Sequence, residues 1–166
     1  MLPLALIAIS MPCLAQTGIV TFYSTKLTAA QEIRDYFVPV GTGAPFTGWV
    51  FDGKQKMVHA QGGRFMTFHL AAGEHQFSAH YHSKNAGTDV VHLNVKEGGH
   101  YCIRLSAKYV SGSVFAPIAF LDSQVQEVSC QHALEEAGSY KPIDAKRVDP
   151  ALRTKFEPSP SFPKDN

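Results

Sequence analysis

The chain has 166 residues, of which 45% are hydrophobic and 17% charged, and its formal net charge is +1. That length allows one domain with a core of its own, and near-neutrality excludes the global attraction that carries strongly basic proteins to nucleic acid or acidic membranes. No GxSxG, HExxH, complete GxGxxG or GxxxxGK[ST] pattern occurs, so no familiar hydrolase, metalloprotease or phosphate-binding motif is present.

Leu2 to Leu14 is almost wholly apolar and ends in Cys13-Leu14-Ala15 before Gln16. Small residues at Cys13 and Ala15 suit cleavage after Ala15, and residues 1–15 read as a signal peptide, although no Lys or Arg precedes the run. The run is too short to span a bilayer, which takes about 20 residues. A buried N-terminal strand or helix is the structural alternative. Lipid attachment at Cys13 is a second, set against the poor cleavage context of Ser10-Met11-Pro12, and it is the one route by which this reading puts the chain on a membrane.

Gly18 to Leu27 is rich in β-branched and aromatic residues and reads as a first strand. Thr28 and Gln31 resemble a capping box, and Ala29, Ile33, Tyr36 and Phe37 fall on one face of a short helix over 28–37. Val38 to Gly48 is a glycine-punctuated loop. Asp52-Gly53 then marks a hairpin within Trp49–His59, with Phe51 beside Lys54, Trp49 beside Lys56, and Trp49 as a core anchor.

Gly62 to Ser83 organises the middle of the chain. Apolar residues alternate up to Leu70, a turn follows at Ala71-Ala72-Gly73-Glu74, and alternation resumes at His75. Read as an antiparallel hairpin with Leu70 opposite His75, it carries Met66, Phe68, Leu70, Phe77, Ala79 and Tyr81 on one face. Phe65, Thr67, His69, Gln76, Ser78, His80 and His82 lie on the other. An apolar face of that width needs a second layer over it.

Asp89 to Lys96 alternates, with Val91, Leu93 and Val95 one way and His92 and Asn94 the other. After Glu97-Gly98-Gly99, His100 to Val110 resumes the pattern with Tyr101, Ile103 and Leu105 inward and Cys102 and Arg104 outward. Val114 to Leu121 reads as a strand that Pro117 confines to an edge or a bulge, and Gln124 to Val128 as a last strand. Ser129 caps a short helix that ends at Gly138, with Ala133 and Leu134 packing inward. From Ser139 five prolines interrupt a polar segment, which reads as a disordered tail over 139–166. The sum is an all-β chain: a small antiparallel β-sandwich of about 7–8 strands over 16–138, with one or two short peripheral helices.

Removal of the signal peptide leaves Cys102 and Cys130, an even pair that an oxidising compartment would bridge. In the chain-entropy description such a loop contributes about 3–4 kcal/mol. Two unpaired buried thiols are the alternative, and two sulfurs alone do not make a zinc site.

The order of motifs, a first strand, then the hairpin of Asp52, Gly53 and Lys54, then the Gly73-Glu74-His75 turn, then Gly98 and Gly99 leading to Tyr101, resembles the bacterial domain of unknown function 2846 family over about Gly18 to Leu134. The resemblance implies a transthyretin-like or carboxypeptidase-regulatory-like sandwich in exported or lipid-anchored envelope proteins. It carries no catalytic residues to this chain.

Eight histidines invite a metal reading. His80 and His82 share one strand face about 6.5–7 Å apart, and would hold zinc or copper only with a third ligand such as His59 or His92. Outward-facing imidazoles without metal are the simpler reading. The sequence therefore points to an exported, non-enzymatic binding or accessory module of the envelope, without a cofactor and without nucleic acid. Its partner, an envelope protein or ligand, would meet a strand edge, Phe65 or the tail. A periplasmic zinc- or copper-binding protein that uses surface histidines is the alternative.

Overall fold

The computed structural model describes residues 16–26, 42–44, 46–80, 89–110 and 120–163. The expected signal peptide 1–15, the expected helix 28–37 and His82 lie outside them, as does most of the expected strand 114–121. Eight of the described strands are five residues or longer: β1 (Thr17–Ser24), β3 (Gly48–Asp52), β4 (Gln55–Ala60), β5 (Arg64–Ala71), β6 (Gly73–His80), β7 (Val90–Val95), β8 (His100–Val110) and β9 (Phe120–Val128). β2 (Thr42–Ala44), β10 (Lys141–Pro142) and β11 (Phe156–Glu157) are short, and one helix, α1 (Cys130–Ala137), follows β9. The expected all-β sandwich is therefore what the chain forms.

The strands make two sheets. In the larger, β5, β1, β8 and β9 lie side by side, with β2 on β8 and with β10 and β11 on β5; the smaller runs β4-β3-β6-β7. Most pairs are antiparallel, but β1 and β8 run parallel at the centre of the large sheet, with Val20 opposite Tyr101 and Phe22 opposite Ile103. β1 is buried on both faces from Val20 to Ser24, and the large residues Val20, Phe22 and Tyr23 are divided between them. Val20 and Phe22 enter the space between the sheets, while Tyr23 enters a second cluster on the far side.

The central hairpin proves to be an arch. β5 pairs with β1, Phe22 opposite Met66, whereas β6 pairs with β3 and β7. The turn between them carries the chain from one sheet to the other. Gly73 takes φ 138°, a conformation that side-chain-bearing residues rarely adopt. Met66, Phe68 and Leu70 thus meet Phe77 and Ala79 face to face across the core. Phe22 seals the layer, edge-on to Phe77 at 5.0 Å and to Phe68 at 6.1 Å.

Trp49 is not a core anchor. It is half-buried on the face of β3 opposite the core residue Val50, with the Lys56 ammonium 3.4 Å from its ring centroid and His59 edge-on at 4.9 Å. The Asp52-Gly53 hairpin forms, but Asp52 pairs with Gln55 and Phe51 with Lys56, and a register shift after Val50 sets Trp49 opposite His59.

The segment after Ser139 is not a loose tail between 139 and 163. Tyr140, Ile143, Val148, Leu152, Phe156 and Phe162 are all buried, six apolar anchors spaced along an otherwise polar strap. β10 and β11 lie along β5, Val148 bridges Val58 on β4, and the Asp149 N–H donates to the Met57 carbonyl at 2.7 Å. The prolines fit this path: Pro150 opens a 3-10 turn where no N–H is required, and Asp149 caps it. The strap covers one edge of each sheet, and with α1 it covers the outer face of the large sheet. Phe65, expected on an open polar face, is 1% exposed beneath Phe162, ring centroids 5.3 Å apart.

Candidate functional site

α1 begins as its sequence demands: Ser129 accepts from the His132 N–H at 3.2 Å, and the helix stops at Gly138. Ala133 and Ala137 are the buried residues, small enough to bring the helix close to Tyr23 and Cys102. Glu136 sits on the same side. Arg104, from β8, grips its carboxylate with Nε and Nη2 at 2.9 Å each, and the Tyr23 hydroxyl donates to the same carboxylate at 2.7 Å. Burial works against both charges, but the mutual hydrogen bonds outweigh it, so Arg104 is held above and Glu136 below its ordinary value. Burial, then the bond to Glu136, pushes the Tyr23 hydroxyl up strongly, and burial also raises Tyr140. The network fastens helix to sheet, and its members already bond one another.

A second polar cluster joins two turns. Asp52, at the β3–β4 turn, accepts the Gln76 N–H at 3.1 Å with one oxygen and faces His75 Nδ1 at 2.6 Å with the other. His75 Nε2 donates to the Ala71 carbonyl at 2.9 Å, and the ring stacks on Phe77. Both nitrogens of His75 are thereby committed to acceptors, so this Asp–His pair is a clamp across the arch rather than a base waiting for a nucleophile. The Asp-Gly and Gly-Glu-His turns, far apart in sequence, meet here.

Beside the clamp lies a cleft of about 250 Å³ lined by Glu74, His75, His92, Leu93 and Asn94. It runs along the pairing of β6 with β7, Glu74 opposite Asn94 and His75 opposite Leu93. That volume is below the range of about 300–1,000 Å³ usual for small-molecule sites.

The histidines disperse. His80 lies across β3 from His59, with Trp49 paired to both. Two strand spacings, about 9–10 Å, separate their backbones, with Trp49 between them. His92 pairs with Gln76, four residues from His80 along β6. His69 meets Glu157 at 2.9 Å on the strap, His59 meets Arg147 at 2.9 Å, and His132 stands 3.8 Å from Glu136. His82 lies outside the described residues. Among the described residues, His59, His80 and His92 form no convergent group of three ligands.

Cys102 and Cys130 form the expected disulfide, with Cα atoms 5.2 Å apart. Its neighbour His100 stands two residues before Cys102 and therefore on the same face of β8, a spacing legible in the sequence. Nothing in the sequence singles out Glu136. Among the described residues no helix is long and apolar enough to cross a membrane. No protein-family model, curated protein or solved structure matches the chain.

Proposed function

We propose that the chain is an exported, non-enzymatic binding module of the cell envelope that takes an extended segment of a partner protein along β7. One observation carries the reading. The strap covers β5 of the large sheet and β4 of the small one, whereas β7 ends the small sheet with no strand beyond it among the described residues, beside the cleft. A strand edge next to a depression that holds one side chain is the geometry of β-strand addition, in which main-chain bonds give affinity and a pocket gives selectivity. The polar clusters support the same reading, because Arg104, Glu136, Asp52 and His75 are engaged in joining elements. Export rests on the apolar leader up to Ala15 and agrees with a disulfide, which persists in oxidising compartments.

The test is affinity capture from the native envelope fraction, comparing the natural chain with His92→Glu/Asn94→Glu. Both residues are exposed, so two carboxylates would line the cleft without touching the core. The expected result is a partner recovered by the natural chain and reduced at least tenfold with the variant. Equal recovery by both would overturn the reading.

A further inference from the structure

The disulfide has a third potential ligand beside it. His100 and Cys102 occupy alternate positions on β8, and the antiparallel pairing of β8 with β9, Cys102 opposite Val128, delivers Cys130 at the first residue of α1. The ligand atoms of His100, Cys102 and Cys130 all lie within 4.8 Å of one another. A tetrahedral ion with metal–sulfur bonds near 2.3 Å and metal–nitrogen bonds near 2.0 Å sets its ligands about 3.5–3.8 Å apart, within the reach of small side-chain rotations. The imidazole is also oriented. Its Nε2 lies 3.2 Å from the Thr21 hydroxyl, which is itself 3.1 Å from that of Thr67, and both threonines are fully buried. Hydroxyl contacts of this kind fix the ring of a ligating histidine.

We infer that reduction of the Cys102–Cys130 bridge converts this corner into a binding site for a thiophilic d¹⁰ cation, Zn²⁺ or Cu⁺, held by two thiolates and His100. A dithiol reductant opens the bridge. One of its thiolates attacks the sulfur of Cys130, the less buried of the two residues, and Cys102 leaves as a thiolate. The second thiol of the reductant then displaces Cys130, and the reductant departs as a disulfide. Two electrons and two protons pass to the protein. Metal binding then forms two metal–sulfur bonds and one metal–nitrogen bond and releases the two thiol protons. Two thiolates and an imidazole are a soft donor set that disfavours Mg²⁺ and Ca²⁺. The reduced corner keeps its shape because α1 is also held to the sheet by Glu136 on Arg104 and Tyr23. The inference is independent of the β7 reading.

The experiment uses the full chain, reduced with a phosphine and desalted without oxygen, titrated with Zn²⁺ against a chromophoric chelator and with Co²⁺ as a spectroscopic probe. The expected result is one ion per reduced chain, a thiolate-to-cobalt charge-transfer band, and no comparable binding by the oxidised chain. His100→Ala keeps the bridge, verified by non-reducing peptide mapping, and lowers the affinity of its reduced form at least tenfold. Cys130→Ser loses the site. Equal affinity of natural chain and His100→Ala, equal binding by the oxidised chain, or no ion bound by the reduced chain would each overturn the inference.

Discussion

Glu136 is the residue at which three elements meet: Tyr23 from β1, Arg104 from β8, and α1 itself. Its replacement by Ala strands the Arg104 guanidinium, whose side chain is 18% exposed. The expected cost is about 2–3 kcal/mol, the usual consequence of leaving a half-buried charge unpaired, readable in urea unfolding. The network also fixes the pH response. Glu136 has a lowered pKa in the fold, so its contribution is complete above the unfolded carboxylate value of about 4.3 and is lost as pH falls toward the folded value. Tyr23 and Tyr140 are raised, so their contribution holds below about pH 10 and is lost as pH rises beyond it. Urea midpoints measured against pH should therefore fall at both ends, and Glu136→Gln should blunt the acid limb and also weaken the alkaline one, because the Glu136 carboxylate helps to raise Tyr23 and Tyr140. An acid limb unchanged by that substitution would contradict the linkage. Individual residues were the least legible scale. Trp49 and Phe65 show why: alternation says which side of a strand a side chain takes, not what covers that side. Lys56 and His59 shield Trp49 outside the core, and Phe162, nearly a hundred residues on, buries Phe65.

At the scale of elements, the strap is the largest departure from expectation. Its prolines and charges suggested disorder, but Tyr140, Ile143, Val148, Leu152, Phe156 and Phe162 recur often enough to anchor every turn of its path. Phe162 fills the gap between Phe65 and Tyr23, at 5.3 and 6.1 Å between ring centroids. Phe162→Ala should cost about 3–5 kcal/mol, and calorimetry should show a single lowered transition. A loss below about 0.5 kcal/mol, the size of a surface substitution, would mean that the strap is not part of the core. The disulfide ties α1 to β8 across 28 residues of chain, and its reduction without metal should cost about 3–4 kcal/mol. An unchanged urea midpoint after reduction would contradict that. α1 was legible to its boundaries, because the Ser129 cap and Gly138 are local signals. The β5–β6 arch was not. A hairpin and an arch demand the same alternation, and only the partnership of β1 with β5, separated by a long stretch of sequence, decides between them.

The whole molecule is built in layers: the small sheet, the large sheet, and a cover made of α1 and the strap. Two-faced burial of the large sheet explains why β1 places large residues on both of its faces and why Thr21 and Thr67, 0% exposed, bond each other. On the side away from the strap the layers close differently. The Asp89 carboxylate accepts the Val125 N–H of β9 at 3.1 Å, which ties the start of β7 to the edge of the large sheet and leaves the rest of β7 as the end of its sheet. The proposed meeting place with a partner is β7 and its cleft. The most direct measurement is amide hydrogen exchange, read by mass spectrometry, on the full chain alone and after incubation with solubilised envelope fraction and recovery. The expected result is exchange slowed at least tenfold over Val90–Val95 and the facing residues Gly73–Gln76, with the strap unchanged. Slowing confined to residues 139–163, or no change at β7, would contradict it.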